Sequence, residues 1–244
     1  MKKFLFSFII FCFSVSYIQA REISMLTVDW EPYYASTLKN GGVYIEIVTT
    51  AFKRVGHTAT ITFLPWTRAL KYVEDGKKDI VAGAYYTDER NKIYHFSDSC
   101  MTIHIGFVAH KKAGITSYKT LKDLKPYRIG VNRGWVYTPE FDSADYLKKD
   151  VATNQIINIR KFIMNRVDII AMSIEIFQYE LSNMKNHDMS EVVVLDPLLD
   201  KKGLHIMMGR KIPDHKKIIE DFNRGLKKIR EDGTYGSILS DHGF

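Results

Sequence analysis

The sequence predicts an α/β fold with parallel strands, and three observations favour it. Strand-like apolar runs alternate with segments whose apolar residues recur at helical spacing, a pattern typical of parallel α/β sheets. Residues 77–82 and 166–171 repeat one arrangement, in which a helix and a tight turn precede an aspartate and an apolar strand. A chain of 244 residues with 45% hydrophobic and 26% charged residues has ordinary globular composition, and it is long enough for one large or two small domains.

Each strand is predicted from a short apolar run, and each helix from apolar residues that recur at helical spacing. The first strand, 23–28, is a short apolar run, and a helix follows over 45–55 because Ile45, Val48 and Phe52 fall on one face. The remaining elements follow in chain order: strand 58–63, helix 66–73, strands 79–84, 101–110 and 128–131, a helical stretch over 139–149, helix 156–163, strand 168–172, helix 174–184, strand 192–195 and a final helix over 218–229.

The internal repeat predicts two lobes of similar topology. In open α/β sheets, ligands bind beyond the carboxyl ends of the strands. The residues that follow the two repeated strands are 83–90 and 172–175. If the lobes face each other, these two stretches form opposite walls of one cleft.

The first 20 residues have the layout of a secretory signal peptide. Lys2 and Lys3 precede a short apolar run over 4–15, and Ala20 is a small residue suited to cleavage. We expect the mature protein to begin near Arg21, in the periplasm, with the net charge reduced from +7 to +5 because both lysines are lost. An uncleaved anchor is the alternative, although the run is short for a membrane span.

Composition and motifs exclude several classes of protein. The basic residues are spread along the chain, which favours a solvated surface over nucleic-acid binding. A mean hydropathy of −0.17 excludes a polytopic membrane protein. The sequence has no phosphate-binding loop, dinucleotide fingerprint, nucleophile elbow, H-x-x-x-H or C-x-x-C pattern, so no cofactor or metal is expected. After signal cleavage Cys100 is the one remaining cysteine, which we expect to be a small buried apolar residue.

An ordered set of short motifs resembles one family of proteins. Residues 82–90 (AGAYYTDER) with 96–98 (FSD), and 29–33 (DWEPY) upstream of them, are similar to the signature of bacterial family 3 solute-binding proteins. Residues 129–134 and 231–235 resemble the start of that family's second lobe and its final helix break. The resemblance therefore spans nearly the whole mature chain.

The resemblance implies the type II periplasmic binding protein fold, with two α/β lobes and a ligand cleft between them. The lobes would be joined by crossing segments near 101–105 and 203–207. The implied organisation is a signal peptide over 1–20, a first lobe made of 21–103 and 206–244, and a second lobe over 104–205.

The resemblance also assigns residues to the first wall of the cleft. Arg90 aligns with the arginine that grips the carboxylate of the ligand, and a planar guanidinium can bind a carboxylate through two parallel hydrogen bonds. Gly83 and Tyr85 align with positions that bind polar groups of the ligand, although the family usually has serine or threonine at the second position. Trp30 and Trp66 align with aromatic residues that sandwich the body of the ligand.

On the second wall, Asn132 and Val136 align with contact positions around a turn. Ser173 aligns with an aspartate that neutralises the α-ammonium group in amino-acid binders. A buried ammonium without a counter-charge costs several kcal/mol. Either Glu175 or another acid substitutes, or the ligand lacks this group, and we expect a ligand that is not a simple polar amino acid.

The expected function is capture of a small carboxylate-bearing ligand by a monomeric periplasmic protein, followed by docking on an ABC transporter permease. One alternative is a secreted enzyme similar to cyclohexadienyl dehydratases, for which Glu175, Asp29 and Glu31 are the available acid–base candidates. Another is a module that passes its closed state to a membrane receptor. The sequence does not separate transport from sensing.

Overall fold

The computed structural model describes residues 20–135, 137–184 and 189–244. Residues 1–19, which carry the predicted signal peptide up to Ala20, lie outside the described residues. The strands are β1 (Glu22–Thr27), β2 (Thr58–Phe63), β3 (Ile80–Ala84), β4 (Tyr94–Phe96), β5 (Met101–His110), β6 (Arg128–Asn132), β7 (Lys148–Ala152), β8 (Ile169–Ser173), β9 (Val192–Val194) and β10 (Asp200–Gly209). The helices are α1 (Val43–Arg54), α2 (Trp66–Glu74), α3 (Asp88–Ile93), α4 (Pro139–Ser143), α5 (Gln155–Ile163), α6 (Ile174–Ser182), α7 (His215–Glu231) and α8 (Thr234–Asp241).

The strands form two halves with the same connectivity. In the first half the order is β2-β1-β3-β10, and in the second it is β7-β6-β8-β5. In each half the first three strands are parallel, and the fourth runs antiparallel to its neighbour. The α/β class and the two similar halves predicted from the sequence are confirmed.

Two long strands connect the halves. Residues 101–105 of β5 pair antiparallel with residues 200–204 of β10. Beyond this pairing β5 continues against β8, while β10 continues against β3 and β4. Both strands therefore leave one half and enter the other at the same place, which is where the sequence predicts the crossing segments. The exact lobe boundaries at residues 103, 104, 205 and 206 stay a prediction.

The internal repeat has a structural basis in matching hydrogen bonds. Asp79 donates its backbone N–H to the Ser24 carbonyl and accepts the Ser24 N–H on its carboxylate, at 3.1 and 2.9 Å. Asp168 makes the same two bonds with Arg128, at 2.9 and 2.8 Å. Each aspartate thus fastens the start of its strand to the neighbouring parallel strand.

The turns before these two aspartates also match. Gly76 and Asn165 both adopt left-handed backbone conformations, with φ of 75° and 58°. Glycine adopts this region without a steric penalty, and asparagine tolerates it better than most residues. The glycine and the asparagine named from the sequence as turn residues are therefore confirmed in that role.

The predicted helical stretch over 139–149 is wrong in its second half. Helix α4 starts at the Thr138 side chain, which accepts the Phe141 N–H, and it ends at Ser143. The Ser143 hydroxyl donates to the Pro139 carbonyl oxygen at 2.7 Å. The chain then forms β7, which pairs with β6. Pairing with a central parallel strand outweighs the weak helical pattern of this short stretch.

The predicted final helix is confirmed as α7, which packs against α1. Its buried face carries Phe222, whose ring centroid lies 4.8 Å from that of Phe52. Helices α1 and α7 approach so closely that a Cβ at Gly225 would lie 2.0 Å from the Ala51 carbonyl oxygen. Within the described residues, no helix is long and apolar enough to cross a membrane.

A buried carboxylate on α7 ties this helix to the first half. The Asp221 side chain is 1% exposed and accepts hydrogen bonds from Lys217, Arg224 and His57. His57 Nδ1 accepts the Arg21 N–H, so its Nε2 carries the proton donated to Asp221. Burial alone would raise the pKa of Asp221, but the three donors outweigh it and hold the pKa below its usual range.

Candidate functional site

A cleft of about 910 Å³ lies where the two halves meet. Much of its lining follows the carboxyl ends of parallel strands, which is where α/β sheets bind ligands. The cleft is lined by Trp30, Tyr85, Tyr86, Thr87, Glu89, Arg90, Ile105, Gly134, Trp135, Tyr137, Ser173, Asp200, Lys202, Gly203 and His205. Trp30, Tyr85, Arg90 and Ser173 are therefore the sequence-predicted residues that the structure places on it.

Arg90 is positioned by its surroundings on the first wall. The side chain of Thr87 caps helix α3 by accepting the Arg90 N–H. The Arg90 guanidinium donates to the Tyr85 carbonyl oxygen at 2.9 Å and lies 5.6 Å from the centre of the Trp66 ring. Arg90 forms no ion pair with an acid in the described part of the chain. Its charge is therefore available to an anionic ligand.

The two predicted aromatic residues have different positions. Trp30 lines the cleft and contacts Tyr85 edge to face, with ring centroids 6.1 Å apart. Trp66 begins α2 and is not among the lining residues, but its ring supports the Arg90 guanidinium. Trp66 is thus placed to orient the arginine, and its contact with the ligand stays a prediction.

Gly83 lies behind the wall rather than on it. Its φ of 83° is in the left-handed region, and a Cβ there would lie 2.3 Å from the Tyr34 hydroxyl oxygen. The Tyr34 hydroxyl donates to the Gly83 carbonyl oxygen at 3.1 Å. Glycine at this position therefore lets β3 end beside Tyr34 and directs Tyr85 towards the cleft.

Three residues in register form the floor of the cleft. Ile105 on β5 pairs with Asp200 on β10 at one side and with Ser173 on β8 at the other. Directly paired residues of neighbouring strands face the same side of a sheet, and strands lie about 4.8 Å apart. Asp200 and Ser173 therefore stand about 10 Å apart, with Ile105 between them.

Ser173 takes part in a polar cluster that links both halves. The Ser173 hydroxyl caps α6 by accepting the Ile176 N–H at 3.2 Å, and it donates to Glu175 Oε2 at 2.9 Å. The hydroxyl of Tyr33, which follows β1, lies 2.7 Å from Ser173 Oγ and 2.9 Å from the same Glu175 oxygen. Glu175 Oε1 lies 2.6 Å from His104 Nδ1. We call Tyr33, His104, Ser173 and Glu175 the hinge cluster.

The hinge cluster separates the cleft from a second cavity of about 680 Å³. Ser173 lines the cleft, whereas His104 and Glu175 line the second cavity beside Phe244. Glu175 therefore faces away from the cleft in this structure. Burial, and secondarily the Glu175 carboxylate, raises the pKa of Tyr33 well above its usual range, so its hydroxyl keeps its proton.

The structure describes only one of the two predicted contact residues of the second wall. Val136 lies outside the described residues. Asn132 is buried and does not line the cleft; its N–H donates to the Tyr137 hydroxyl at 2.9 Å, and its side-chain amide has no hydrogen-bond partner among the described atoms. The turn after β6 instead presents Gly134 and Trp135 to the cleft.

Sequence reasoning missed three residues that shape the site. Asp200 and Lys202 lie on the floor, where Lys202 Nζ is 3.8 Å from Asp200 Oδ2 and 5.5 Å from the centre of the Tyr85 ring. Residues 200–202 are all charged, so they carry no strand signal in the sequence. Tyr33 carries no signal of its role, because its partners lie about 140 residues away along the chain. In the described ranges, no group of three or more histidine, cysteine or acidic side chains could hold a metal ion.

Comparison with known proteins agrees with this architecture. The family model of bacterial extracellular solute-binding proteins, family 3, matches residues 24–243. The chain belongs to this family. Its fold is the type II periplasmic binding protein fold, as the sequence resemblance predicts.

Individual relatives in this family are distant but match over their full length. The chain is 25% identical to the ABC transporter arginine-binding protein 1 of Escherichia coli over 255 residues, covering 100% of this chain and 99% of that protein. It is 23% identical to the arginine-binding periplasmic protein of Mannheimia haemolytica, covering 98% and 97% of the two chains. These relatives are binding proteins rather than enzymes.

A solved structure shows the same fold. The second substrate-binding domain of an amino-acid ABC transporter from Streptococcus pneumoniae superposes with a TM-score of 0.72 at 19% identity, covering 90% of this chain and 99% of that domain.

Proposed function

We propose that this family 3 solute-binding protein captures a small carboxylate-bearing molecule in the periplasm and delivers it to the permease of an ABC importer. The observation that carries the proposal is Arg90. Its guanidinium faces the cleft, is held by the Tyr85 carbonyl and the Trp66 ring, and has no acidic partner in the described residues. A fixed, unpaired guanidinium in a partly desolvated cleft favours a carboxylate ligand.

The mechanism is closure of two lobes around the ligand. Residues from both halves line the cleft, and strands β5 and β10 are the connections that would bend. A ligand that contacts both walls favours the closed state by its differential affinity for that state. The segment up to Ala20 would be removed during export, and the closed monomer would dock on the permease.

Binding is favoured over catalysis by the positions of the acids. Asp29 accepts the Ser36 N–H at 2.6 Å, and Glu31 accepts the Thr37 hydroxyl at 2.9 Å. Neither is among the residues lining the cleft, and Glu175 lines the second cavity. A dehydratase needs a general acid or base within reach of the substrate. Of the two acids that do line the cleft, Glu89 is exposed and Asp200 is paired with Lys202. We therefore propose that the protein is not an enzyme, with a dehydratase or a receptor-linked sensor as the alternatives.

The test begins with the ligand that accompanies the protein. Mass spectrometry of small molecules released from freshly purified protein should identify a carboxylate, and calorimetry should measure its affinity for protein stripped of ligand. Arg90→Ala should weaken binding by about thirtyfold or more, since loss of a charge-assisted pair costs about 2–5 kcal/mol. Arg210→Ala is the matched control, because Arg210 also donates to a carbonyl oxygen but lies outside the cleft.

Two outcomes would contradict the proposal. One is unchanged affinity in a folded Arg90→Ala protein. The other is chemical turnover of the bound molecule by the purified protein.

A further inference from the structure

We propose that Tyr33 makes this cleft selective for carboxylates that lack an α-ammonium group, by occupying Ser173 and holding Glu175 out of the cleft. Tyr33 is then a specificity-determining residue that touches no ligand. The inference rests on the proposed function in one respect, namely that the ligand carries a carboxylate.

The first step is that the hydrogen-bonding capacity of Ser173 is used within the protein. A hydroxyl has one proton and two acceptor lone pairs. The proton goes to Glu175, one lone pair accepts the Ile176 N–H, and the Tyr33 hydroxyl lies at 2.7 Å against the oxygen. Ser173 is also 1% exposed. Although Ser173 borders the cleft, the Tyr33 hydroxyl covers its second lone pair at 2.7 Å, which keeps a ligand ammonium from reaching it.

The second step is that Glu175 is engaged on both oxygens. Oε2 receives the Tyr33 and Ser173 hydroxyls, both at 2.9 Å, and Oε1 lies 2.6 Å from His104 Nδ1. Turning Glu175 into the cleft would break these contacts and leave one of the two buried hydroxyl protons without an acceptor, which costs free energy. Tyr33 is 0% exposed, and its hydroxyl could then donate to Ser173 Oγ at 2.7 Å, but the Ser173 proton would lose its acceptor.

The third step concerns the acids that do line the cleft, which in the described chain are Glu89 and Asp200. Glu89 is exposed in the first turn of α3. Asp200 accepts the Lys201 N–H at 2.7 Å and has the Lys202 ammonium at 3.8 Å, so its charge is already partly compensated. An ammonium held near Ser173 would meet only a Glu175 carboxylate whose oxygens are already engaged by Ser173, Tyr33 and His104, so its desolvation cost would be only partly compensated.

The ligand class that fits is a flat or aromatic carboxylate without an amine on the neighbouring carbon. The carboxylate is matched by Arg90, and the body by the rings of Trp30, Tyr85 and Trp135. Aromatic faces also accept a guanidinium at the far end of a ligand. The proposed selectivity is against an amine on the carbon next to the ligand carboxylate. It does not depend on the group at the opposite end of the ligand.

The experiment compares matched ligands that differ by that amine alone. Calorimetry would measure L-phenylalanine against 3-phenylpropanoate, and L-arginine against 5-guanidinopentanoate. The wild-type protein should bind at least one amine-free member about tenfold or more tightly than its amino acid. In Tyr33→Phe this preference should fall, because Glu175 loses one of its three side-chain contacts and turns towards the cleft more easily. In Ser173→Asp combined with Glu175→Gln the preference should reverse, since aspartate also caps helices and the net charge is kept.

Tyr44→Phe is the matched control, because the Tyr44 hydroxyl is also buried but contacts Cys100 instead of the hinge cluster. It should keep the wild-type preference. Tighter binding of the amino acid by the wild-type protein, or an equal preference in wild type and Tyr33→Phe, would overturn the proposal. Absence of binding by all four compounds would overturn the ligand class. Whether the protein binds a carboxylate would then be judged separately, from the identity of the co-purifying ligand and from its affinity for Arg90→Ala.

Discussion

The hydroxyl of Tyr34 donates to the carbonyl oxygen of Gly83, and this contact leaves no space for a side chain at residue 83. The Tyr34 ring is buried, and a Cβ on Gly83 would lie 2.3 Å from its oxygen and 2.5 Å from the adjoining ring carbon. The pair therefore fixes where β3 ends and where the first wall of the cleft begins.

We expect Gly83→Ala to destabilise the protein by about 2–5 kcal/mol. Left-handed backbone costs a residue with a side chain about 1–2 kcal/mol, and forcing atoms into a packed core costs about 1–3 kcal/mol. Gly114→Ala is the matched control, since Gly114 has a φ of 71° with no atom within 4 Å of a Cβ. Urea denaturation of both variants separates backbone strain from the clash, and equal losses would show that the Tyr34 contact is unimportant.

Asp221→Asn should destabilise the protein by about 1.5–3 kcal/mol at neutral pH, the range for a hydrogen bond to a charged group. The carboxylate is buried and accepts from Lys217, Arg224 and His57, and an amide cannot replace a charge among those donors. Chemical denaturation at pH 7 measures the loss. A midpoint equal to that of the wild type would contradict a stabilising role for this network.

The same carboxylate predicts a pH dependence. The pKa of Asp221 is lower in the folded protein than its usual value, since the three donors outweigh burial. Its stabilisation is therefore fully present above about pH 4, the pKa of an unfolded aspartate, and is lost as the pH falls through the folded pKa. Below about pH 4, the wild-type free energy of unfolding should fall more steeply with decreasing pH than that of Asp221→Asn. Glu220→Gln, which changes an exposed carboxylate on the same helix, is the control and should keep the wild-type slope.

The fold was largely predictable because its signals are local. The strands over 58–63 and 101–110 have the predicted bounds, and the two repeated aspartates bind the neighbouring strand in the same way. The missed strand β10 begins Asp-Lys-Lys-Gly and changes partners between residues 204 and 205. The first half of this strand lacks an apolar run, because it lies on the floor of the cleft.

The candidate site was less predictable because its decisive contacts join distant segments. Arg90 follows from a local motif, and the structure places it on the cleft. Glu175 follows from proximity to Ser173, yet its side chain faces the second cavity because Tyr33 and His104 bind it. The direction of the Glu175 side chain depends on a residue from the other half of the fold. The spacing of residues within one segment does not indicate such a contact.

Cys100 should be unreactive in the folded protein. It is 0% exposed, and burial raises the pKa of its thiol to about 11. At pH 8 a thiol with that pKa is about one part in a thousand thiolate, against about a quarter for an ordinary cysteine. Iodoacetamide should modify protein that begins at Arg21 at least a hundredfold more slowly in native buffer than in guanidinium chloride, by intact mass. Comparable rates in both solvents would show that the thiol is accessible.

Ligand binding should change the intrinsic fluorescence through two of the three tryptophans. Trp30 and Trp135 line the cleft on opposite walls, whereas Trp66 is not among the lining residues and contacts the Arg90 guanidinium. Closure removes water from the first two indole rings, which shifts their emission to shorter wavelengths.

Titration of the co-purifying ligand should therefore give a clear shift in the wild type and in Trp66→Phe. Most of the shift should vanish in Trp30→Phe combined with Trp135→Phe. Calorimetry on each variant checks that binding itself survives. A full shift that persists in the double variant and disappears in Trp66→Phe would place the ligand against Trp66, and not between Trp30 and Trp135.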